Sequence, residues 1–143
     1  PGPDWRPILS DATNSDGGRP RWGQIALRWL PPVLWMAVIF VASHTPSAQI
    51  PDAGPWDLLV KKGGHLFSYG LLAWLWLRAL RPALAPPRLY GAVFAIAALY
   101  AVSDEIHQTF IAGRNGTPVD VLIDAAGALL AIFLWAWWQR RRA

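Results

Sequence analysis

The sequence predicts an all-α, polytopic membrane protein built as a four-transmembrane-helix bundle. Composition is the first reason: 54% of the 143 residues are hydrophobic, 15% are charged and ten are Trp. That balance suits a small set of membrane helices better than a soluble domain of this length. Segmentation is the second, because four apolar stretches each approach the ~20 residues a helix needs to cross a hydrocarbon core. The third is the placement of Lys and Arg, which gather in alternate connections. The absence of Cys removes disulfides, thiolate metal sites and Cys nucleophiles.

Residues 1–22 are rich in Pro, Asp, Gly and Arg and are expected to form a flexible cytoplasmic tail. A chain that opens on Pro1 instead of Met is expected to be a trimmed one. The membrane domain then occupies residues 23–143. Its first apolar segment, 24–43 (QIALRWLPPVLWMAVIFVAS), holds Pro31 and Pro32, which a membrane helix tolerates when neighbouring groups satisfy the carbonyls they release. No cleavage pattern follows this segment, so it is expected to be retained. The second segment spans 62–80, the third 88–110 and the fourth 118–138. Between the last two, Gly113 and Gly116 are expected to supply positive φ, and Asn115-Gly116 is a turn dipeptide. Thr117 suits the N-cap and Pro118 the first helical position, and Asp120 completes a capping-box-like T-x-x-D.

Orientation follows from the cations. Odd segments run one way and even ones the other, so both tails and the 81–88 connection share a side. Ten of the 13 Lys and Arg residues fall there, leaving Lys61, Lys62 and Arg114 on the other. Both termini are therefore expected in the cytoplasm, and the basic pI near 10.1 reflects topology instead of nucleic-acid binding. All three His residues and six of the nine acids lie on or near the extracytoplasmic side, which is where any chemistry is expected.

Three polar groupings stand out there. Lys62, His65 and Tyr69 are spaced i, i+3, i+7 and share one stripe of the second helix. Asp104, His107 and Gln108 share a face of the third, with Glu105 about a quarter-turn away. A carboxylate one turn before an imidazole can orient it and raise its basicity, so Asp104 is expected to hold His107. Asp120 has a structural explanation in its cap, but Asp124 does not. It lies one turn deeper in an apolar run, where a carboxylate needs Arg114, Lys62 or a His as partner. Snorkelling explains Lys61 and would equally serve Lys62. Rare intramembrane ionisable groups nevertheless point to function.

Three motifs, SHTPS after the first segment, KKGGHLFSYGLLA opening the second and SDEIHQTFIAGRNGTPVDVLIDAAGALL, resemble the VanZ-like family of small bacterial membrane proteins, named for teicoplanin resistance. The resemblance covers residues 23–138. It implies that Lys62, His65, Tyr69, Asp104, Glu105, His107, Gln108, Arg114, Asp120 and Asp124 are the family's characteristic polar positions. Ala112 stands where relatives more often carry Pro, a change with little bearing on the chemistry.

Cations, imidazoles and carboxylates at the outer leaflet suit an enzyme, a lipid phosphatase or phosphotransferase acting on the phosphate head group of a cell-envelope lipid. In that reading His65, Asp104, Glu105, His107, Asp120 and Asp124 are catalytic, and Lys62, Tyr69, Gln108 and Arg114 bind substrate. The spacing R-x5-D-x3-D at Arg114, Asp120 and Asp124 echoes the R-x5-H-x3-D of type-2 phosphatidic acid phosphatases, but Asp120 stands in place of the His. The alternative is non-catalytic binding or shielding of an envelope lipid or a lipophilic glycopeptide antibiotic, which fits the resistance association. A proton pathway is disfavoured because no ionisable chain continues through the inner halves of the helices. A network that merely holds helices together is the remaining alternative. No metal ligand is assigned, although Asp104, His107 and Asp124 have the chemistry to hold a divalent metal.

Overall fold

The computed structural model describes residues 21–49 and 53–142. Four long helices carry the chain: α1 (Arg21–His44), α2 (Asp57–Leu80), α3 (Arg88–Gln108) and α4 (Pro118–Arg140). Two 3-10 turns, Ser47–Gln49 and Gly54–Trp56, lie in the first connection. The fold is all-α, with no strand among the described residues. The expected tail lies outside the described residues through residue 20, and α1 already begins at Arg21. Pro31 and Pro32 sit inside α1 without ending it. α2 starts earlier than its apolar run because Asp57 enters the first turn and pairs with Lys61 one turn on, at 2.6 Å.

Three helical stretches, Ala26–His44, Arg88–Gln108 and Pro118–Arg140, are long and apolar enough to cross a membrane. α2 is as long as α1, at 24 residues, but is not among them. The expectation of four spans is thus met in helix number and not in apolarity. The physical reason lies in its position. α2 packs against α1, α3 and α4, and Leu72, Ala73 and Leu77 are fully buried, so Lys62, His65 and Tyr69 turn towards protein while Lys61 and Arg78, near its two ends, stay exposed. The helices around it turn large apolar side chains outward, among them Leu34 and Val41 on α1, Leu99 and Ile106 on α3, and Leu122 and Phe133 on α4. An apolar surface of that extent fits a hydrocarbon surrounding.

Small residues set the closest crossing. A Cβ on Gly127 of α4 would lie 2.2 Å from the backbone oxygen of Leu66 on α2, and one on Gly70 would lie 3.2 Å from the oxygen of Gly127. Only glycine lets the two backbones approach so closely. Ala97 and Ala101 of α3 and Ala128 and Ala131 of α4 extend the same tight seam through the core. At the end where α2 and α4 finish, Arg81 donates to Gln139 at 3.5 Å, and Arg141 and Arg142 lie over the rings of Trp137 and Trp138 at 4.0 and 3.7 Å. Arg–Trp pairs of this kind suit a membrane–water boundary.

Candidate functional site

The buried stripes of three helices turn polar at the other end of the bundle. On α3 the line Val93, Ala97, Ala101 continues to Asp104, Glu105 and Gln108. On α4 the line Trp135, Ala131, Ala128 and Gly127 continues to Asp124, and on α2 the line Trp76, Leu72 and Tyr69 leads to the half-buried His65. Steps of three and four residues keep each set on one face. The alternating chain direction brings these ends together with the last turn of α1, around a cavity of about 460 Å³ whose walls include Ile39, Ser43, Lys62, His65, Tyr69, Asp104, Gln108, Arg114 and Asp120.

Nine of the ten expected residues form one connected network. Nδ1 of His65 lies 3.0 Å from Oδ1 of the fully buried Asp124 and 4.0 Å from Oε1 of Glu105. Lys62 pairs with Asp120. Asp104 accepts through Oδ2 from Ser43 at 2.9 Å, Gln108 at 3.3 Å and Tyr69 at 3.4 Å. Gln108 also donates to Glu105 at 3.3 Å and accepts from Nη1 of Arg114 at 3.3 Å. Two oxygens, Oδ1 of Asp104 and Oδ2 of Asp124, are buried with no hydrogen-bond partner among the described residues.

The start of α4 is built as its local sequence requires, with one addition. Thr117 caps the helix, its hydroxyl accepting from the Asp120 N–H at 3.2 Å and donating to the Asp120 carboxylate at 2.8 Å. In an ordinary capping box the acid three residues on would take the N–H of the capping residue. Here Glu105 of α3 takes it, at 2.8 Å, so the cap also ties α3 to α4. Gly113 adopts positive φ, at 73°, but Gly116 does not. Gly116 is needed for space instead, since a Cβ there would lie 2.0 Å from the Glu105 backbone oxygen.

His107 is the tenth residue, and it lies apart. Its Nε2 is 3.2 Å from Nδ1 of His44, and its ring stacks on Phe40 with centroids 4.7 Å apart. The expected Asp104–His107 pairing is not made: Asp104 points among α1, α2 and Gln108, while His107 points to the outer edge of α1. The metal set of Asp104, His107 and Asp124 is not assembled either. The donor atoms that do converge belong to His65, Glu105 and Asp124, all within 4.8 Å of one another. Arg114, expected to hold phosphate, donates to the carbonyls of Ala42 at 2.9 Å and Thr45 at 3.0 Å. It thereby closes the exposed C-terminal end of α1, a favourable place for a cation. Ser43 is the site residue that the periodicity reading passed over, although it opens the SHTPS motif.

A helical bundle with three membrane-length apolar helices, an apolar exterior and a polar pocket at one end fits a small membrane protein. The family model VanZ/LLP1 matches residues 28–139, and the chain belongs to that family. The matched region takes in every residue of the polar network. No curated protein and no solved structure matches the chain.

Proposed function

We propose that the chain is a four-span protein of the bacterial cell membrane with both termini in the cytoplasm, and that its extracytoplasmic pocket cleaves or transfers the phosphate head group of an envelope lipid. The observation that carries this reading is the His65–Asp124 pair on a cavity that Lys62 and Arg114 also line. A buried carboxylate accepting from Nδ1–H fixes the imidazole tautomer and leaves Nε2 as the base. Among the described residues Nε2 of His65 has no hydrogen-bond partner. The imidazole missing from the R-x5-D-x3-D spacing at Asp120 is thus supplied to Asp124 from α2.

In the hydrolytic step, water loses a proton to Nε2 of His65 and attacks phosphorus. The bond from phosphorus to the lipid oxygen breaks, and that oxygen takes the proton back. Lys62 would exchange Asp120 for a phosphate oxygen, and an Arg114 N–H facing the cavity would bind another. Asp104, Tyr69, Gln108 and Glu105 hold this arrangement in place, and His107 has no part in it.

The test is phosphate release from a panel of phosphorylated lipids by the purified protein in detergent. Loss of a general base is expected to slow turnover about 10²–10⁴-fold in His65→Ala and Asp124→Asn. If the protein turns over none of the lipids, yet binds an envelope lipid or glycopeptide in a way these substitutions abolish, binding replaces catalysis. Topology has its own test. Single cysteines at Ser47 and Asn115 should react with an impermeant thiol reagent on intact cells, and one at Ala83 should not; the opposite pattern would place the pocket in the cytoplasm.

A further inference from the structure

We propose that His65, Glu105 and Asp124 form a binding site for one first-row divalent cation of the Mn²⁺ or Zn²⁺ kind. The three side chains come from three different helices, and one donor atom from each lies within 4.8 Å of the other two. The two distances from Nδ1 are 3.0 Å to Asp124 and 4.0 Å to Glu105. Ligand atoms bound to one ion at about 2.1 Å lie about 3.0 Å apart at right angles and about 3.4 Å at the tetrahedral angle. The His65–Asp124 edge already has that length. The His65–Glu105 edge, at 4.0 Å, closes with a shift of about 0.6 Å, and the Glu105–Asp124 edge, within 4.8 Å, with one of at most about 1.4 Å. One imidazole nitrogen with carboxylate oxygens is a donor set for Zn²⁺ or Mn²⁺.

Charge is the second argument. Asp104, Glu105 and Asp124 are 4%, 5% and 0% exposed. α1 faces them with the neutral Ser43, and α2 with Tyr69 and His65. Lys62 of α2 is turned to Asp120 of α4, and Arg114 of the connecting loop to carbonyls and Gln108. Among the described residues no Lys or Arg pairs with these three carboxylates. One imidazole among three buried acids leaves an excess of negative charge that burial strongly disfavours. A divalent cation offsets it.

The third argument is independent of the cluster's composition. Oδ2 of Asp124 belongs to a fully buried carboxylate and has no partner, and Oδ1 of Asp104 is likewise unpartnered. Bidentate ligation through Asp124 satisfies the first of these. Glu105 is already held by donors behind it, from Thr117 N–H and Gln108, the kind of outer support that fixes metal ligands. His65 lines the cavity, which gives the ion a way in and any bound phosphate a way to reach it. Bound there, the ion would displace the proton between His65 and Asp124 and leave the imidazole proton on Nε2. In the loaded protein the ion, as a Lewis acid towards a phosphate or a water in the cavity, would take over the role that Nε2 has as base in the metal-free one.

The inference goes beyond the lipid-phosphate reading and survives its failure. The purified full chain is stripped with chelator, desalted, and titrated separately with MnCl₂ and ZnCl₂. About one equivalent should remain bound after a second desalting, and the melting temperature should rise with the metal. His65→Ala, Glu105→Gln and Asp124→Asn should each weaken binding about tenfold or more, whereas His44→Ala should retain it. The Mn²⁺-loaded wild type provides a reading that no variant's folding affects: pulsed electron paramagnetic resonance should show coupling to an imidazole nitrogen. Retention of less than about 0.1 equivalent of both metals, the absence of nitrogen coupling, or undiminished binding by Asp124→Asn would overturn the site. Phosphate release that persists in chelator by a protein that takes up no metal defeats the ion site and leaves the catalytic reading standing. One bound equivalent without cleavage of any lipid phosphate does the reverse.

Discussion

His65 and His107 lie at the same end of the bundle, and their surroundings differ completely. His65 reaches a carboxylate 59 positions away on another helix and lies among buried acids. His107 has an acid one turn before it in sequence, yet it meets His44 and Phe40 at the edge between α1 and α3. Helical spacing establishes which side chains share a face, but not which face meets a neighbour. The sequence-local carboxylate is therefore a poor guide to a histidine's partner. Packing decides, and here it favours the histidine with no acid on its own helix nearby.

The sharpest way to break this contrast is to remove each imidazole in turn. With a phosphorylated lipid as substrate, His65→Ala is expected to lower kcat about 10²–10⁴-fold, equivalent to about 3–5 kcal/mol of barrier. His107→Ala, which removes a ring outside the connected network, is expected to stay within about threefold, less than 1 kcal/mol. Circular dichroism and thermal melting check that both variants fold. Equal losses would mean that the edge pair and the buried pair act together, and a reversed order would move the chemistry to the edge.

A second comparison tests the seam that delivers His65 to Asp124. Gly127→Ala forces a methyl group against the backbone oxygen of Leu66, where a Cβ would lie at 2.2 Å. Overpacking of this kind costs about 1–3 kcal/mol, and separating α2 from α4 should lower activity as well as the melting temperature. Gly63→Ala is the counterpart on α2. A Cβ there meets nothing within 4 Å, so the better helix propensity of Ala should raise stability by about 0.5–1 kcal/mol. Melting curves in detergent that fail to separate the two variants would remove the close crossing as the organiser of the pocket.

Local chemistry was legible and relative rotation was not. Four apolar runs identify four helices, and T-x-x-D locates the start of α4 because every group involved lies within one turn. The α2 run has about the right length, but Lys62, His65 and Tyr69 interrupt its apolarity, and only the surrounding helices explain how they are accommodated. Gly116 belongs to a turn dipeptide, yet what requires a glycine there is room for the Glu105 carbonyl, a requirement imposed by a residue eleven positions earlier. A clue to the right histidine was nonetheless present on α3. Asp104, Glu105 and Gln108 extend the buried line Val93, Ala97, Ala101, whereas His107 extends Ile96, Tyr100 and the exposed Ser103. Small side chains mark the tightly packed face of a membrane helix, so the Ala line marks the fully buried face and the His107 line the half-buried one beside α1.

The smallest expected difference lies between two threonines that flank the α3–α4 connection. Thr117 faces the pocket side, where its hydroxyl caps α4 and fixes the Asp120 carboxylate that pairs with Lys62. Thr109 lies on the edge side next to His107, exposed, its hydroxyl donating to the Ile106 carbonyl within its own turn at 2.7 Å. Replacing a capping Thr with Ala costs about 0.5–2 kcal/mol. Thr109→Ala, which removes an exposed bond back to its own helix and a methyl group beside Gly116, should change stability by less than about 0.5 kcal/mol. Differential melting of the two variants measures the gap. Because the cap also positions Asp120, which Lys62 leaves to take a phosphate oxygen, Thr117→Ala should loosen the Lys62 contact and change KM for a phosphorylated lipid more than kcat. If Thr117→Ala melts like the wild type, the two sides of the connection are energetically alike, and the cap does not hold the pocket together.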